Sequence, residues 1–554
     1  MTDAADLVLL DGEIHTLTDP DETHEALAVR DGEIVRLGSS YDVEFLVGTG
    51  TTVIDLDGRV LLPGFIDAHT HVTTAGRKLV HADLSAATGP ADAVDRLQAR
   101  ADELDETKES ADAETSVDAE TSADTEEHVD ATEDTAGDSW VIGYGYDEST
   151  WSEDRYLTRE DLDGVETDRP VVAFREDMHV ASVDSAVLDR FAGSIPDDCL
   201  RTDAGEPTGV VVEEGIDPIR DATDPDLAET RELVTAALAA AAERGITGVH
   251  DMVRRSHAPR VYRELDAADE LPVRVRINYW SDHLDALVET GLPTNAGTDF
   301  VRVGAIKSFT DGSFGGRTAK LSEPYADAPG ETGQWVVEPD ELAALAADAA
   351  GAGYQVAAHA IGDEAIDAVL DAYEEVAEAS DADAGAGAAT AGEARHRVEH
   401  VELATDEAID RIAAGDVVAS VQPNFRKWAV DGGLYERRLG DRTARTNRFR
   451  DLLDAGAALA FGSDGMPMDP LVGLHWAVND PAGDQDLSVT EALRAYTRGA
   501  AAAGFDEDRL GTIEVGKRAD LVALGDSPWE RPDSLRDVDV DLTVVDGGVI
   551  YKDL

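Results

Sequence analysis

The sequence predicts an α/β protein built on a TIM-type (β/α)8 barrel, and two features of its pattern carry that prediction. Eight strand-like runs recur through the middle of the chain and alternate with helix-like runs, as in a parallel sheet with crossover helices. Most of these runs end in a histidine, lysine or aspartate, and barrel enzymes carry their catalytic residues at the carboxyl ends of strands. The runs begin near residues 62, 245, 272, 301, 355, 397, 417 and 458.

Both chain ends have a different pattern, with short strand-like runs separated by tight turns. Asp11-Gly12, Asp31-Gly32 and Asp57-Gly58 mark turns near the start, and Asp546-Gly547 marks one near the end. Because chain ends of a domain often meet, we expect residues 1–62 and 506–554 to form one small β-sandwich domain. Residues 63–505 would then form the barrel.

A large insertion is expected after the first barrel strand, over residues 72–228. Such an insertion is placed to shape a substrate pocket. Within it, residues 101–138 are rich in acidic side chains and almost free of apolar ones, which predicts a disordered acidic loop.

The first barrel strand ends in the run Leu62–His71, which contains a His-x-His pair. Side chains alternate along a strand, so His69 and His71 point the same way, with Asp67 behind them. Two imidazoles in that arrangement can bind one metal ion, although such a pair can also stand on a solvated strand end by chance.

Four further strand ends carry metal-ligand residue types, which favours the metal interpretation. They are Lys307 on strand 4, His359 on strand 5, His400 on strand 6 and Asp464 on strand 8. With His69 and His71 they predict a site for one or two divalent ions. Imidazole and carboxylate ligands suit zinc and similar ions, and manganese or iron would accept the same ligands.

Composition excludes several classes of function. The chain of 554 residues has 117 acidic against 46 basic residues and a formal charge of −71. Nucleic acid and anionic membranes are therefore poor partners. The acidity is spread along the whole chain and resembles the haloarchaeal-type composition of proteins adapted to a high-salt cytoplasm. The single cysteine, Cys199, excludes an intramolecular disulfide, and no run is long enough to span a membrane, so we expect a cytoplasmic protein.

Several segments resemble motifs of the amidohydrolase superfamily, and more closely of the amidohydrolase-3 or YtcJ-like family, which includes N-substituted formamide deformylases. The similarity covers nearly the whole chain. The matching segments are 63–71, 307–319, 359–363, 395–400 and 462–464.

The resemblance implies roles for two of these residues. Lys307 would carry a carbamate formed with CO2 and so become an oxygen ligand, which requires a depressed lysine pKa; the alternative is an ordinary salt-bridged lysine. Asp464 would act as the catalytic acid/base, taking a proton from the attacking water and returning it to the leaving amine. The resemblance is also compatible with a homodimer.

Other residues are weaker candidates. Segments similar to family motifs contain possible substrate contacts, and aromatic residues of the insertion could line an apolar pocket or pack in a core. Asp67 could orient a ligand histidine or close its strand, and His250 and Asp251 could face the site or cap strand 2. The candidate substrate-binding residues are His179, Glu213, Asp311, Arg317, Tyr144 and Trp151, with Tyr146 as a further aromatic.

The sequence thus predicts a metal-dependent hydrolase that cleaves a non-peptide C–N bond, in an amide or N-substituted formamide of a small molecule. A deaminase of the same superfamily, acting on a ring C=N, is the alternative, but such enzymes generally lack the strand-4 lysine. A catalytically inactive assembly protein is a further alternative, which the complete set of expected ligands disfavours.

Overall fold

A computed structural model of the chain describes residues 4–118, 140–148, 151–176, 178–382 and 394–554. These residues form two compact units. One unit comprises residues 1–75 and 237–554, and the other comprises residues 76–236. None of the helices within the described ranges is long and apolar enough to cross a membrane.

The described residues contain strands that belong to four sheets. In chain order these strands are β1 Leu7–Leu10, β2 Glu13–His15, β3 Thr23–His24, β4 Ala26–Arg30, β5 Glu33–Gly38, β6 Thr52–Asp55, β7 Val60–Pro63, β8 Phe65–Thr70, β9 Ala82–Asp83, β10 Val141–Tyr146, β11 Val171–Arg175, β12 Val180–Val183, β13 Leu200–Asp203, β14 Glu206–Val212, β15 Ile246–Val253, β16 Arg274–Trp280, β17 Val301–Phe309, β18 Val356–Ala360, β19 Arg397–His400, β20 Val418–Val421, β21 Ala458–Phe461, β22 Leu521–Leu524, β23 Val540–Val545 and β24 Gly548–Lys552.

Helices connect most of these strands. The α-helices of the described ranges are Ser40–Glu44, Val72–Val80, Pro90–Asp118, Arg159–Leu162, Ser185–Phe191, Asp217–Ala222, Leu227–Glu243, Ala258–Ala267, Leu284–Thr290, Pro339–Gly351, Asp363–Ala382, Asp406–Ala414, Leu434–Leu439, Phe449–Asp454, Pro470–Val478, Val489–Arg494 and Ala500–Ala503.

The eight predicted barrel strands form one parallel sheet, in the order β8-β15-β16-β17-β18-β19-β20-β21. The sheet closes where the chain after β21 meets β8. The amides of Ser463 and Asp464 donate to the carbonyl oxygen of His69 at 3.1 and 2.7 Å. A Cβ atom at Gly462 would stand 2.4 Å from the His69 nitrogen, so only glycine allows this approach. The predicted barrel is confirmed.

Strands from both chain ends pack together in the same unit as the barrel. One sheet has the order β5-β4-β1-β6, and a second has the order β24-β23-β22-β7-β2-β3, which joins N-terminal to C-terminal strands. Apolar residues of both sheets share one buried core, including Leu9 and Leu27 from the first sheet and Leu61, Leu521 and Val544 from the second. This is the two-sheet arrangement expected of the chain ends.

The other unit, residues 76–236, has its own sheet, in the order β13-β14-β12-β11-β10-β9. The prediction of a disordered loop over 101–138 is wrong in its first part, because the helix Pro90–Asp118 includes residues 101–118. Alanine and glutamate, which are frequent in this stretch, are strong helix formers, and that propensity outweighs the lack of apolar residues. The remainder of the predicted loop, residues 119–138, lies outside the described residues.

Candidate metal centre

Three of the predicted ligands meet where β8 and β21 end. One ligand atom from each of His69, His71 and Asp464 lies within 4.8 Å of the other two. The Asp464 Oδ1 atom is 3.5 Å from His69 Nε2 and 3.3 Å from His71 Nε2. Two imidazoles and a carboxylate at this spacing match the ligand types of a divalent metal site.

The remaining predicted ligands adjoin this group. The His400 ring centroid is 4.8 Å from that of His69 and 4.5 Å from that of His359. Lys307 is fully buried, and its Nζ atom lies 5.5 Å from the Phe309 ring, which stacks on His359 at 4.0 Å. The structure therefore brings the six predicted residues into one cluster.

Three buried polar atoms in this cluster have no hydrogen-bond partner within the described part of the chain. They are the Nε2 atom of His69, the Nδ1 atom of His359 and the Nζ atom of Lys307. Leaving a buried polar atom unpaired costs about 1–3 kcal/mol. Burial lowers the pKa of His69, His359 and His400 well below the ordinary value, so these rings are neutral and carry free lone pairs. This donor set fits one or two divalent ions.

The other ring nitrogen of each histidine is held by an acceptor, which fixes the tautomer. An acceptor of this kind requires an N–H on the nitrogen that faces it, so the opposite nitrogen is left as the ligand atom. The pairs are His69 Nδ1 with Glu399 Oε2 at 2.6 Å, His71 Nδ1 with the Met252 carbonyl at 3.2 Å, His400 Nδ1 with Gln422 Oε1 at 2.7 Å, and His359 Nε2 with the Gly312 carbonyl at 3.0 Å.

Two of the predicted ligand residues have left-handed backbone conformations. The φ angle is 78° at His400 and 56° at Asp464. Such angles cost a non-glycine residue about 1–3 kcal/mol and persist where surrounding contacts enforce them, often at active sites. The position of both side chains is thus fixed by the barrel rather than by local preference.

The sequence assigned no role to Glu399 or Arg397, which support the site from inside the barrel. Both are completely buried. Glu399 accepts from His69, and it also accepts from the Nε atom of Arg397 at 2.7 Å. Arg397 in turn donates to the Ala68 carbonyl at 2.6 Å and to Ser420 Oγ at 2.9 Å. Because side chains alternate along a strand, Arg397 and Glu399 lie on the same face of β19. This spacing was the feature of the sequence that could have identified them.

Lys307 has the environment that a reactive amine requires. Burial lowers its pKa to about 8, although Glu399 and Asp464 oppose that shift. No ion pair of Lys307 is present among the described residues, and its amine has no hydrogen-bond partner there. The alternative of an ordinary salt-bridged lysine therefore lacks the expected carboxylate contact.

Asp67 does not contact the side chain of a ligand histidine. Its carboxylate accepts the amides of His69 and Ser463 at 3.1 and 3.0 Å, and it also accepts the Ser463 hydroxyl. It therefore ties the end of β8 to the segment after β21. Asp67 was predicted either to orient a ligand histidine or to close its strand, and these contacts correspond to the second role.

His250 and Asp251, on the second barrel strand β15, contact different partners. His250 Nδ1 lies 3.0 Å from an Arg397 nitrogen. The Asp251 carboxylate accepts the Val72 amide at 2.9 Å and the Tyr262 hydroxyl at 2.7 Å. Both residues therefore support neighbouring elements through direct hydrogen bonds.

Two candidate substrate-binding residues of the barrel unit form hydrogen bonds with other residues of the protein. Asp311 is fully buried and accepts the amides of Lys320 and Gly362, both at 2.8 Å. Arg317 forms a double hydrogen bond with Asp327 at 3.1 and 2.9 Å. Asp311 thus shapes the loop beside His359, and the role of Arg317 as a substrate contact stays a prediction.

The other candidates belong to the unit of residues 76–236. Tyr144 is buried and stacks on Phe174 with ring centroids 5.2 Å apart. Trp151 is buried too, and its indole N–H donates to the Ala87 carbonyl at 2.8 Å, while its ring stacks on Tyr146 at 5.6 Å. These aromatic residues pack in cores of that unit.

His179 and Glu213, from the same unit, are exposed and pair with each other. The His179 Nδ1 atom lies 3.1 Å from a Glu213 oxygen, and the two side chains are 67% and 62% exposed. Glu213 also has a left-handed backbone, with a φ angle of 51°. Their role as substrate contacts stays a prediction.

Comparison with known proteins agrees with this geometry. The amidohydrolase family profile matches residues 52–551. YtcJ of Bacillus subtilis strain 168 is 30% identical over 98% of each chain. The N-substituted formamide deformylase of Arthrobacter pascens is 26% identical over 100% of this chain and 99% of its own.

A solved structure supports the same assignment. An uncharacterised metal-dependent hydrolase from Pyrococcus furiosus superposes with a TM-score of 0.74, at 28% identity, over 94% of this chain and 99% of its own. The family match over residues 52–551 covers the barrel and the strands of the C-terminal end, and its range includes each of the six clustered residues. The chain therefore belongs to the amidohydrolase family and is a metal-dependent hydrolase of that superfamily.

Proposed function

We propose that the protein hydrolyses the C–N bond of an amide or N-substituted formamide in a small molecule. The observation that carries this proposal is the close grouping of His69, His71 and Asp464 beside the unpaired buried nitrogen atoms of His69, His359 and Lys307. The similarity to a formamide deformylase along nearly the whole chain supports the substrate class. Zinc is the first metal to test, because its preferred ligands are those present.

A divalent ion held by His69, His71, His359, His400 and Asp464 would polarise the scissile carbonyl and make a water molecule more acidic. A residue of the chain itself, Asp464, then carries out the proton transfers. As the water oxygen adds to the carbonyl carbon, an oxygen of Asp464 takes the water proton. When the C–N bond breaks, Asp464 returns that proton to the amine nitrogen, giving a carboxylic acid and an amine.

Lys307 fits the carbamate that the family resemblance implies. At neutral pH a fraction of its amine is unprotonated, since burial brings its pKa to about 8. The nitrogen lone pair attacks the carbon of CO2, an N–C bond forms, and one proton leaves to solvent. The product is an anionic oxygen ligand, which offsets the cost of burying an unpaired amine.

The test is hydrolysis by zinc-loaded protein in concentrated KCl with bicarbonate, against N-alkylformamides, N-acylamines and heterocycles that carry an amino group on a ring C=N carbon. Formate or carboxylate release, followed by NMR, is expected from the first two classes. Asp464→Asn should lower kcat by about 10²-fold or more, whereas Asp410→Asn, on an exposed position of the helix Asp406–Ala414, should leave it unchanged. Ammonia release from the amino-substituted heterocycles alone would instead identify a deaminase, because water then displaces their exocyclic amino group.

A further inference from the structure

A second polar site lies inside the barrel, at the amino-terminal halves of β15, β16 and β17. A cavity there is lined by His250, Arg276 and the neighbouring Arg274, Arg302 and Asp506. Arg276 is 3% exposed and His250 is 4% exposed. Neither residue contributes to the proposed reaction, so their presence in a barrel core needs another explanation.

Arg276 brings an unpaired donor to this cavity. Its two terminal nitrogens are engaged, one with Asn295 at 2.7 Å and the other with Asp506 at 2.7 Å. Its Nε atom is buried and has no hydrogen-bond partner within the described ranges. A buried guanidinium N–H without an acceptor costs more than a neutral one, because the group is charged.

His250 brings a second donor to the same place. A guanidinium can only donate, so the nitrogen of Arg397 at 3.0 Å makes His250 Nδ1 an acceptor and leaves the proton on Nε2. Gly504 packs closely against both of these nitrogen atoms. A Cβ atom at Gly504 would stand 2.7 Å from Arg276 Nε and 2.9 Å from His250 Nε2.

The surrounding charges favour an anion. The single carboxylate of Asp506 forms ion pairs with three guanidinium groups, those of Arg276 at 2.7 Å, Arg302 at 3.1 Å and Arg509 at 3.3 Å. The connected ion-pair cluster around the cavity has one more guanidinium than carboxylate. Its members are Arg274, Arg276, Arg302, Arg509 and Arg518, with Asp299, Asp506, Asp520 and Asp546.

The pKa of Arg276 agrees with incomplete neutralisation. Burial lowers it, and the like charges of Arg302 and Arg397 add to that effect despite the contact with Asp506. An anion in the cavity would accept a hydrogen bond from the unpaired Nε atom of Arg276.

We propose that this cavity binds one small monovalent anion of halide size, between the Nε atom of Arg276 and the Nε2 atom of His250, beside Gly504. The bound anion also holds a chain of contacts that leads to the metal centre. His250 contacts Arg397, Arg397 contacts Glu399, and Glu399 holds His69. The site is independent of the substrate that the enzyme hydrolyses.

The first test is diffraction from crystals of the wild-type protein grown in potassium bromide, measured at the bromine absorption edge. We expect an anomalous peak within contact of Arg276 Nε and His250 Nε2. Water density with no anomalous signal at that place would overturn the proposal. This measurement requires no variant and does not depend on activity.

The second test is thermal unfolding at constant potassium concentration and ionic strength, with gluconate replaced stepwise by chloride. A specific site gives a saturable rise in Tm of about 1–3 °C for a chain of this size. Gly504→Ala places a methyl group in the site and should remove the rise. Gly351→Ala is the matched control, because a Cβ atom there has nothing within 4 Å.

Arg276→Lys is the second variant, in case Gly504→Ala disturbs packing. It keeps the charge beside Asp506 but lacks the Nε–H donor, and it should also lose the chloride-dependent rise. A bromide peak together with equal Tm values in chloride and gluconate, for wild type and variants alike, would indicate an adventitious ion only and contradict a built site. A rise that survives in both variants contradicts the proposed position.

Discussion

Glu399 accepts a hydrogen bond from the Nδ1 atom of His69 at 2.6 Å, across 330 residues of sequence. Both side chains are buried, at 0% and 1% exposure. This contact fixes which nitrogen His69 presents to the metal and raises the basicity of the ring. Glu399 is therefore a positioning residue of the metal centre.

Glu399→Gln is expected to weaken metal binding by about 10- to 100-fold, because the ring of His69 loses its anionic partner. The measurement is a competition titration of apo protein with zinc and a chromophoric chelator. Glu407→Gln, at an exposed position of the helix Asp406–Ala414, is the matched control.

The same substitution removes the carboxylate that neutralises Arg397, so stability must be followed in parallel by circular dichroism. A folded variant with an unchanged zinc affinity would contradict the positioning role. If the variant unfolds at 25 °C, the zinc titration is repeated at a salt concentration at which its circular dichroism spectrum matches that of the wild type. A loss of affinity that remains under this condition is then not caused by unfolding.

Asp464→Asn and His69→Ala should differ in metal content although both are inactive. Asparagine keeps a carbonyl oxygen near His71 but cannot take a proton, so kcat should fall by about 10²-fold or more with metal retained. His69→Ala removes a buried ligand atom, and metal content should fall with it. Metal analysis after gel filtration, with Asp410→Asn as control, distinguishes the two. Near wild-type kcat in metal-bound Asp464→Asn would show that another residue is the base.

The barrel and the clustering of polar residues at its strand ends could be predicted because both depend on local pattern. Apolar runs of four to nine residues define buried strands, and a polar residue at the end of a run marks the face where ligands converge. His359 at the end of β18 and His400 at the end of β19 follow this rule directly. Parallel register then brings strand ends together without further information.

The supporting contacts could not be predicted in the same way. The pairing of Glu399 with His69, and of Arg397 with His250, depends on the register between strands distant in sequence and on which side chains fill the barrel. Trp151 illustrates a second difficulty. An aromatic residue beside polar ones suits a pocket as well as a core, and only the packing against Tyr146 shows which neighbours it has.

The acidic surface predicts that stability depends on salt. A formal charge of −71 destabilises the compact state by self-repulsion, and the Debye length shortens from about 10 Å at 0.1 M to about 3 Å at 1 M salt. The free energy of unfolding should therefore rise steeply between 0.1 and about 1 M KCl and more slowly above. Urea denaturation across a KCl series measures it. Maximal stability below 0.1 M would contradict the screening argument.

His396 predicts a pH dependence of stability that is separate from the metal centre. It is 4% exposed, and its Nδ1 atom accepts the Val356 amide at 3.0 Å. Burial lowers its pKa to about 4. In the unfolded chain the pKa is about 6.5, so between pH 6.5 and 4 the unfolded state binds a proton that the folded state does not.

Stability should therefore fall as pH decreases from about 6.5 to about 4, and the full contribution of His396 to this fall is about 3 kcal/mol. In His396→Gln the amide oxygen can still accept the Val356 N–H, but the side chain does not titrate. The unfolding free energy of wild type minus that of the variant should decrease by this amount between pH 7 and 4, in high salt. His179→Gln, at a position 67% exposed, is the matched control. A difference that stays constant over this range would mean that His396 titrates alike in both states.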